Sequence, residues 1–401
     1  MEITLTPLRS SPSKIFYSSV ESLEDGDRIR KCLQFGTCSG VCPFGYLMKH
    51  PPSKIIGTLR ADMFDKVLKT DGVWMCVSCY ACTAFCPSQI PLTASLMTRV
   101  KEEMIVSGTT PAELQSALAN TQRYGNPMGE SPRKRADWAA GLQPEVNLLG
   151  KTRKPVEVLW FVGDYASYHP RMLSVTKALA RILNLLGINF GILGPEENSD
   201  GDSQRLAGER GLFEMIAGKN GQTFRKYQFG EIITTDPHAF NALKNQYPAL
   251  GISYPVRHYT QFLFERLDQI KPLLKKEIKA RVAYHDPCYL GRANNVYEEP
   301  RELLKSIPGV ELVEMSHQRI NSLCCGGGGG GMWLDGFQWE KANTRLSEWR
   351  VKEAIMAQAD ILAVACPYEP PRFEDATKTV ENSSHLKVRE ITELLAESME
   401  I

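Results

Sequence analysis

Residues 323–333 read LCCGGGGGGMW: two adjacent cysteines, Cys324 and Cys325, run straight into six glycines, Gly326 to Gly331. Glycine loses more conformational entropy on folding than any other residue, so six in a row weaken any helix or strand. Poly-glycine alone reads as a flexible linker, but a linker has no use for paired thiols at its start. The combination asks for bare backbone beside sulfur. Only glycine lets backbone approach a bulky group without a Cβ clash, and successive N–H groups form a nest for an anion or thiolate. Gly326, Gly327 and Gly328 are therefore read as the wall of a cofactor site, and the last two or three glycines as slack.

The other cysteines extend this reading. Eleven are present, at 32, 38, 42, 76, 79, 82, 86, 288, 324, 325 and 366, with none between 87 and 287. A disulfide framework would not cluster its thiols in this way, and metal or redox chemistry explains the spacing better. CVSCYACTAFCP (76–87) has the pattern C-x2-C-x2-C-x3-C-P. That is the bacterial ferredoxin run, whose first three thiolates cap one [4Fe–4S] cube while the fourth ligates a second cluster. Zinc sites also use C-x2-C, but four cysteines with this spacing and a trailing proline favour iron–sulfur.

A partner run lies upstream. CLQFGTCSGVCP (32–43) aligns with the first, except that Phe35 replaces the second cysteine. One [4Fe–4S] cluster is expected on Cys42, Cys76, Cys79 and Cys82. The other site keeps only Cys32, Cys38 and Cys86, which suits a [3Fe–4S] centre or an incompletely ligated [4Fe–4S] cluster with water or an exogenous ligand. Between the runs, residues 51–70 carry apolar side chains at 55, 56, 59, 63, 64, 67 and 68, a helical spacing. Residues 92–106 continue in that style. The expectation is an N-terminal extension (1–19), an α-helical two-cluster ferredoxin domain (20–110) and a linker (111–154) whose Arg133-Lys134-Arg135 cluster is solvated.

From about residue 155 strands alternate with helices, which argues for parallel α/β sheets. VEVLWFVG, NFGILG and EIITT read as strands, with a helix over 172–187. The layout recurs after 280 with RVAYHDPC, VELVEM and ILAVAC as strands and PRELLKSIPG as a helix. Cys288 to Cys324 is a step of 36 residues, and 125 residues earlier the same step joins Gly163 to Ser199. This is an internal repeat. In its first copy (155–270) Gly163, Ser199, Asp200 and Asp236 stand where the second copy (271–401) has Cys288, Cys324, Cys325 and Cys366, and Ala239 stands opposite Glu369.

At these residues the chain resembles the CCG-domain iron–sulfur proteins, the catalytic subunit of heterodisulfide reductase and its relatives. The matching motifs are HDPCYLGR (285–292), CCGGGGG (324–330) and ACPY (365–368), with degenerate copies at GDYASYHPR and TTDPHAFN. The N-terminal third resembles the small ferredoxin-like subunit of the same enzyme. The resemblance implies two tandem Rossmann-like α/β repeats after the ferredoxin domain. It also implies five cysteines and a non-cubane [4Fe–4S] cluster in each complete repeat. Here the first repeat retains none of the five. The second has four, with Glu369 in the fifth position, so a third [4Fe–4S] cluster, cubane or non-cubane, is expected on Cys288, Cys324, Cys325 and Cys366.

By the same resemblance the chain is an oxidoreductase subunit. Electrons would enter from a membrane cytochrome b subunit or a flavoprotein and pass along the N-terminal clusters. At the C-terminal site a disulfide would be reduced, or a thiol oxidised. Glu369 is read as a displaceable iron ligand, a proton donor or a solvent-facing carboxylate. His285 is read as a proton donor or as a histidine bonding the loop backbone. Arg292 and Arg345 are read as holding a carboxylate-bearing thiol or as surface ion pairs. The rival reading is a pure electron relay with no substrate, which the erased first repeat favours.

Composition sets the outer limits. The 401 residues are 43% hydrophobic and 23% charged, enough for two or three domains with real cores. A net charge of +1 makes no electrostatic case for nucleic acid or an anionic membrane. No apolar run reaches the ~20 residues of a span, and the N-terminus lacks a signal-peptide layout. A cytoplasmic protein is expected, one able to sit against a membrane partner. No GxGxxG follows a strand, so bound NAD or FAD is not indicated.

Overall fold

The computed structural model describes residues 11–23 and 25–401. The chain divides after Thr110 into two compact units.

The first unit is helical, and two of its loops share one backbone path. A 3-10 turn precedes each: Gly26–Lys31 before Cys32, and Asp71–Met75 before Cys76. Gln34 (φ +59°) and Ser78 (φ +50°) both turn left-handed, as do Gly36 (+79°) and Tyr80 (+65°). A single helical turn then follows in each, Thr37–Gly40 and Ala81–Ala84. Residue by residue, Phe35 stands where the second loop has Cys79.

Helices Pro52–Arg60 and Thr98–Val106 hold these loops. The helical spacing over 51–70 is not one helix. Met63 N–H closes back onto Thr58 O (2.9 Å) with Asp62 left-handed (φ +58°), and a new turn starts at Asp65–Leu68. Of the N-terminal extension, residues 1–10 lie outside the described residues. Pro12–Glu21 is a helix whose Phe16 stacks on Phe64 at 4.0 Å, so it is part of this unit's core.

The second unit holds two parallel sheets. The first contains β1 (Asn147–Leu148), β2 (Val156–Phe161), β3 (Phe190–Ile192), β4 (Phe229–Thr234) and β5 (Val256–His258), in the order β1-β3-β2-β4-β5. The second contains β6 (Ala280–Tyr284), β7 (Val310–Val313), β8 (Ile361–Val364) and β9 (Lys387–Glu390), in the order β7-β6-β8-β9. With β1 set aside, the two orders are the same, so the repeat seen in cysteine spacing is a repeat of topology. Central strands such as ILAV of β8 are buried throughout, as parallel strands covered on both faces must be.

The two repeats share one core. Trp160, Leu179 and Leu183 of the first pack in the same cluster as Val282, Leu394 and Leu395 of the second. Arg171 ties them further, reaching Glu374 and Glu393 at 2.5 and 2.8 Å.

Residues 111–154 are not a linker. They form helix Ala112–Tyr124, which buries Leu114, Ala117 and Leu118, and the edge strand β1. Trp138 lies 5.3 Å from Trp160 in the core. Arg135, expected to be solvated, is only 2% exposed and pairs with Asp164 (2.6 Å) and Glu197 (2.9 Å). The buried positions Leu114, Ala117, Leu118 and Thr121 of this stretch carry a helical period that composition alone obscures.

Candidate metal centres

None of the eleven cysteines is joined in a disulfide. In the first unit their mutual influence sorts them into two sets. Burial pushes the Cys42 thiol far up, and Cys79, Cys76 and Cys82 add to that. Burial likewise raises Cys38, with Cys32 and Cys86 as its nearest thiol neighbours in effect. Thiols gathered so that each opposes the ionisation of the others are poor company without a cation, and a multi-iron cluster supplies one. The residues therefore fit the groups expected of them.

The surroundings hold each loop in place. Arg60 donates to the carbonyls of Cys32 (2.7 Å), Arg30 (3.1 Å) and Ile29 (3.3 Å). The buried Lys101 donates to Cys76 O at 2.8 Å. Gln34 Nε2 lies 3.3 Å from Cys32 Sγ. Phe35 is 61% exposed and lines an open pocket with Cys32, Cys38 and Cys86.

The second unit builds its site at the C-terminal ends of its strands, where open α/β sheets place theirs. His285 and Cys288 follow β6, and Cys366 and Glu369 follow β8. Cys324 and Cys325 come from the long loop after β7. Cys288, Cys324 and Cys366 are buried.

The glycines of this loop are ordered and buried. Gly326 N–H donates to Cys324 Sγ at 3.2 Å. A Cβ on Gly327 would meet Met332 Sδ at 2.9 Å, and Cys325 Sγ would lie 3.7 Å away. The final glycines are not slack. Gly330 needs its positive φ of +92°, and a Cβ on Gly331 would come within 2.1 Å of Gly326 O.

His285, Cys325 and Glu369 bring their ligand atoms within 4.8 Å of one another. His285 Nε2 lies 3.2 Å from Glu369 Oε1. Arg350 Nε donates to His285 Nδ1 at 3.1 Å. Glu369 and Cys325 favour a second proton on the ring, against burial and Arg350. Because the Arg350 N–H already points at Nδ1, the ring keeps one proton, on Nε2, facing Glu369 and Cys325.

Burial pushes the Glu369 carboxyl up to about 7, against the pull of His285. Hydrogen bonding from Cys324, joined by His285, holds Cys325 well below the usual thiol range, whereas burial and Glu369 push Cys366 well above it. Among the described residues Glu369 Oε2, although buried, has no hydrogen-bond partner. Orphaned polar atoms in a native core need an explanation, and a metal centre beside four thiols provides one.

Several sequence readings are thereby decided. Glu369 is 1% exposed and does not face solvent. His285 engages side chains rather than loop backbone. Arg345 stands before helix Leu346–Met356, its backbone N–H donating to Glu348 and its side chain pairing with Asp375. Arg350 went unread in the sequence because nothing in its helical context sets it apart from a surface arginine.

In the first repeat charge pairs lie next in sequence to the equivalent positions. Glu197 accepts from the N–H groups of Val162 (3.0 Å) and Gly163 (2.8 Å) and from Arg135. Asp202 pairs with Arg205 (2.7 Å) and His238 (2.9 Å). Burial, with Asp236, Asp202 and Asp164 nearby, pushes Asp200 well above the carboxylate range.

Comparison with known proteins agrees with this architecture. The family model for CCG, the cysteine-rich domain, matches residues 158–244 and again 282–368, and a 4Fe-4S dicluster domain matches 28–90. The chain is 31% identical to a subunit of the dihydromethanophenazine:CoB–CoM heterodisulfide reductase of Methanosarcina barkeri, over 82% of this chain and 78% of that one. The chain belongs to the CCG-domain iron–sulfur proteins.

Two other relatives of this CCG-domain protein are the "Probable iron-sulfur-binding oxidoreductase FadF" of Bacillus subtilis and the EtfAB:quinone oxidoreductase of Syntrophomonas wolfei. The first is 34% identical over 83% of this chain, and the second 32% identical over 86%. The chain spans only about half the length of these two, 47% and 49%. The first CCG match contains no cysteine, so its fold outlasts its thiols. Among the described residues no helix is long and apolar enough to cross a membrane.

Proposed function

We propose that this CCG-domain protein is the iron–sulfur subunit of a heterodisulfide-reductase-like complex that reduces a disulfide, or oxidises thiols, at its C-terminal site. In this reading Cys42, Cys76, Cys79 and Cys82 hold a [4Fe–4S] cluster, and Cys32, Cys38 and Cys86 hold a three-iron centre. Cys288, Cys324, Cys325 and Cys366 hold a third cluster. Such clusters supply electrons singly to chemistry at sulfur. The partners are a membrane cytochrome b subunit or a flavoprotein as donor, and a small disulfide or thiol as substrate. Two relatives are named for a heterodisulfide and for a quinone respectively, which supports redox work between a carrier and an acceptor.

The observation that carries the substrate reading is the buried Glu369–His285 pair against Cys325. Forming a thiol from a thiolate needs a proton at sulfur, and a carboxyl raised to about 7 can hold one there. Arg350 orients the imidazole so that its N–H faces the site.

The second reading, a relay without substrate, is favoured by the first repeat, which has Gly163, Ser199, Asp200, Asp236 and Ala239 in the ligand positions and no thiol. Anaerobic holoprotein, titrated with small thiols and followed by paramagnetic resonance, separates the two readings. A thiol-dependent change in the C-terminal signal that is altered in Glu369→Gln supports the substrate reading. Indifference to every thiol and disulfide tried, with intact electron transfer, sinks it.

A further inference from the structure

The guanidinium of Arg292 donates through Nη2 to Cys288 Sγ at 3.1 Å. Its Nη1 donates to Ile320 O (3.2 Å) and Ser322 O (2.5 Å). The planar fork is thus pinned to backbone on one side and set against a thiol on the other. Cys288 is only 8% exposed, so the charge acts on the sulfur where solvent screens it weakly. Arg292 also joins two ligand loops, because Ser322 lies two residues before Cys324.

The first repeat supplies the internal control. The step of 125 residues that carries Cys288 onto Gly163 carries Arg292 onto Ser167, a buried serine. The thiol and this particular arginine are present together in one copy and missing together in the other. A structural tie between loops would have reason to persist in both copies, since both keep the sheet order. A charge matched to a thiolate-held centre has reason to go when the thiols go.

We propose that Arg292 tunes the C-terminal centre, its fixed charge on the Cys288 sulfur favouring the reduced form and making this centre the electron-accepting end of the chain. Reduction adds negative charge, and a cation hydrogen-bonded to a ligand sulfur stabilises the state with more of it. Arg292 is a positioning residue in this account, acting through Cys288. The inference rests on the reading that the C-terminal cysteines hold a cluster.

The test uses the anaerobically purified full chain, with iron and sulfide analysis and a potentiometric titration read by paramagnetic resonance. Arg292→Gln should keep wild-type iron and shift the C-terminal midpoint to lower potential, leaving the N-terminal centres, the internal reference, unmoved. Full iron with an unchanged C-terminal midpoint overturns the proposal. If Arg292→Gln sheds the C-terminal iron, Arg292→Lys decides: it keeps the charge without the fork and should restore the iron and a near-wild-type midpoint. Loss of iron in both variants makes Arg292 a structural tie and equally overturns the idea. Wild-type protein lacking C-terminal iron would instead remove the cluster reading itself, a separate outcome visible before any variant is made.

Discussion

Gly331→Ala tests whether the glycine run is a packed wall. Gly331 is not among the positive-φ residues, so alanine costs nothing in backbone conformation and the effect is steric. The added Cβ would sit 2.1 Å from Gly326 O and 3.2 Å from Gly326 C. Restoring an ordinary contact requires more than about 1 Å of movement by backbone. Gly326 cannot move alone, because its N–H holds Cys324 Sγ at 3.2 Å. Overpacking of this kind costs about 2–3 kcal/mol, and at about 2 °C per kcal/mol for a unit of this size the transition should fall by roughly 4–6 °C.

Gly336→Ala is the matched control. Nothing lies within 4 Å of its added Cβ, and it sits in helix Asp335–Ala342. That substitution should raise stability by about 0.5–1 kcal/mol. Calorimetry of both variants and their iron content form the assay. Gly331→Ala with wild-type iron and an unshifted transition would mean that the loop yields easily and that the wall account is wrong.

Three further outcomes follow from the same geometry. Phe35→Cys should complete the ligand set of Cys32, Cys38 and Cys86 and raise iron from about 11 to about 12 atoms per chain, abolishing the near-isotropic three-iron signal; two four-iron clusters already present in wild type would defeat this. Glu369→Gln should retain iron but alter the C-terminal spectrum or its response to thiols, and Glu369→Cys should move that site toward a five-cysteine type; spectra identical to wild type in both would leave Glu369 without a chemical role. Burial pushes Glu390 up to about 7 although Thr392 and the Tyr259 hydroxyl donate to it. A carboxyl raised on folding contributes stability that is full below its unfolded value of 4.5 and lost as pH rises through about 7. That loss is on the order of 3 kcal/mol, and Glu390→Gln should flatten the stability profile over this window; an unchanged profile would refute the assignment.

How far the sequence carries depends on whether chemistry or context places a residue. Cysteine spacing is chemistry, and it reaches a long way: the two loops at Cys32 and Cys76 have one backbone path because iron–sulfur ligation demands it of both. The step of 125 residues likewise led to a true repeat of strand order. Short edge strands such as β5 and β9 went unread because three or four residues carry too little period to stand out. Helix Ala112–Tyr124 was hidden inside a polar composition, and the basic triplet after it looked solvated. Arg135 is buried only because Asp164 and Glu197, distant in sequence, meet it, and no local pattern announces that. Glu369 and His285 were legible as candidates through the repeat, but their meeting depends on Arg350, which no motif contains.

The two copies of the repeat share a strand order but furnish their strand ends with different chemistry. Removing thiols from a buried pocket at strand ends exposes backbone N–H groups and an unfilled volume, both costly unless replaced. The first copy answers with Glu197 on the freed N–H groups of Val162 and Gly163, and with Arg135, Arg205 and His238 balancing the carboxylates around them. Such pairs add little net stability over an apolar filling, but each is ruinous to break singly, so the solution is locked once reached. The second copy carries its own cations, Arg292, Arg350 and Arg372, against sulfur, imidazole and the Cys325 carbonyl instead. Positive charge therefore surrounds both sites. In the first copy it meets carboxylates, and in the second it meets a thiol, an imidazole and a carbonyl beside four cysteines, so the two sites differ in the partner of the charge and not in its presence.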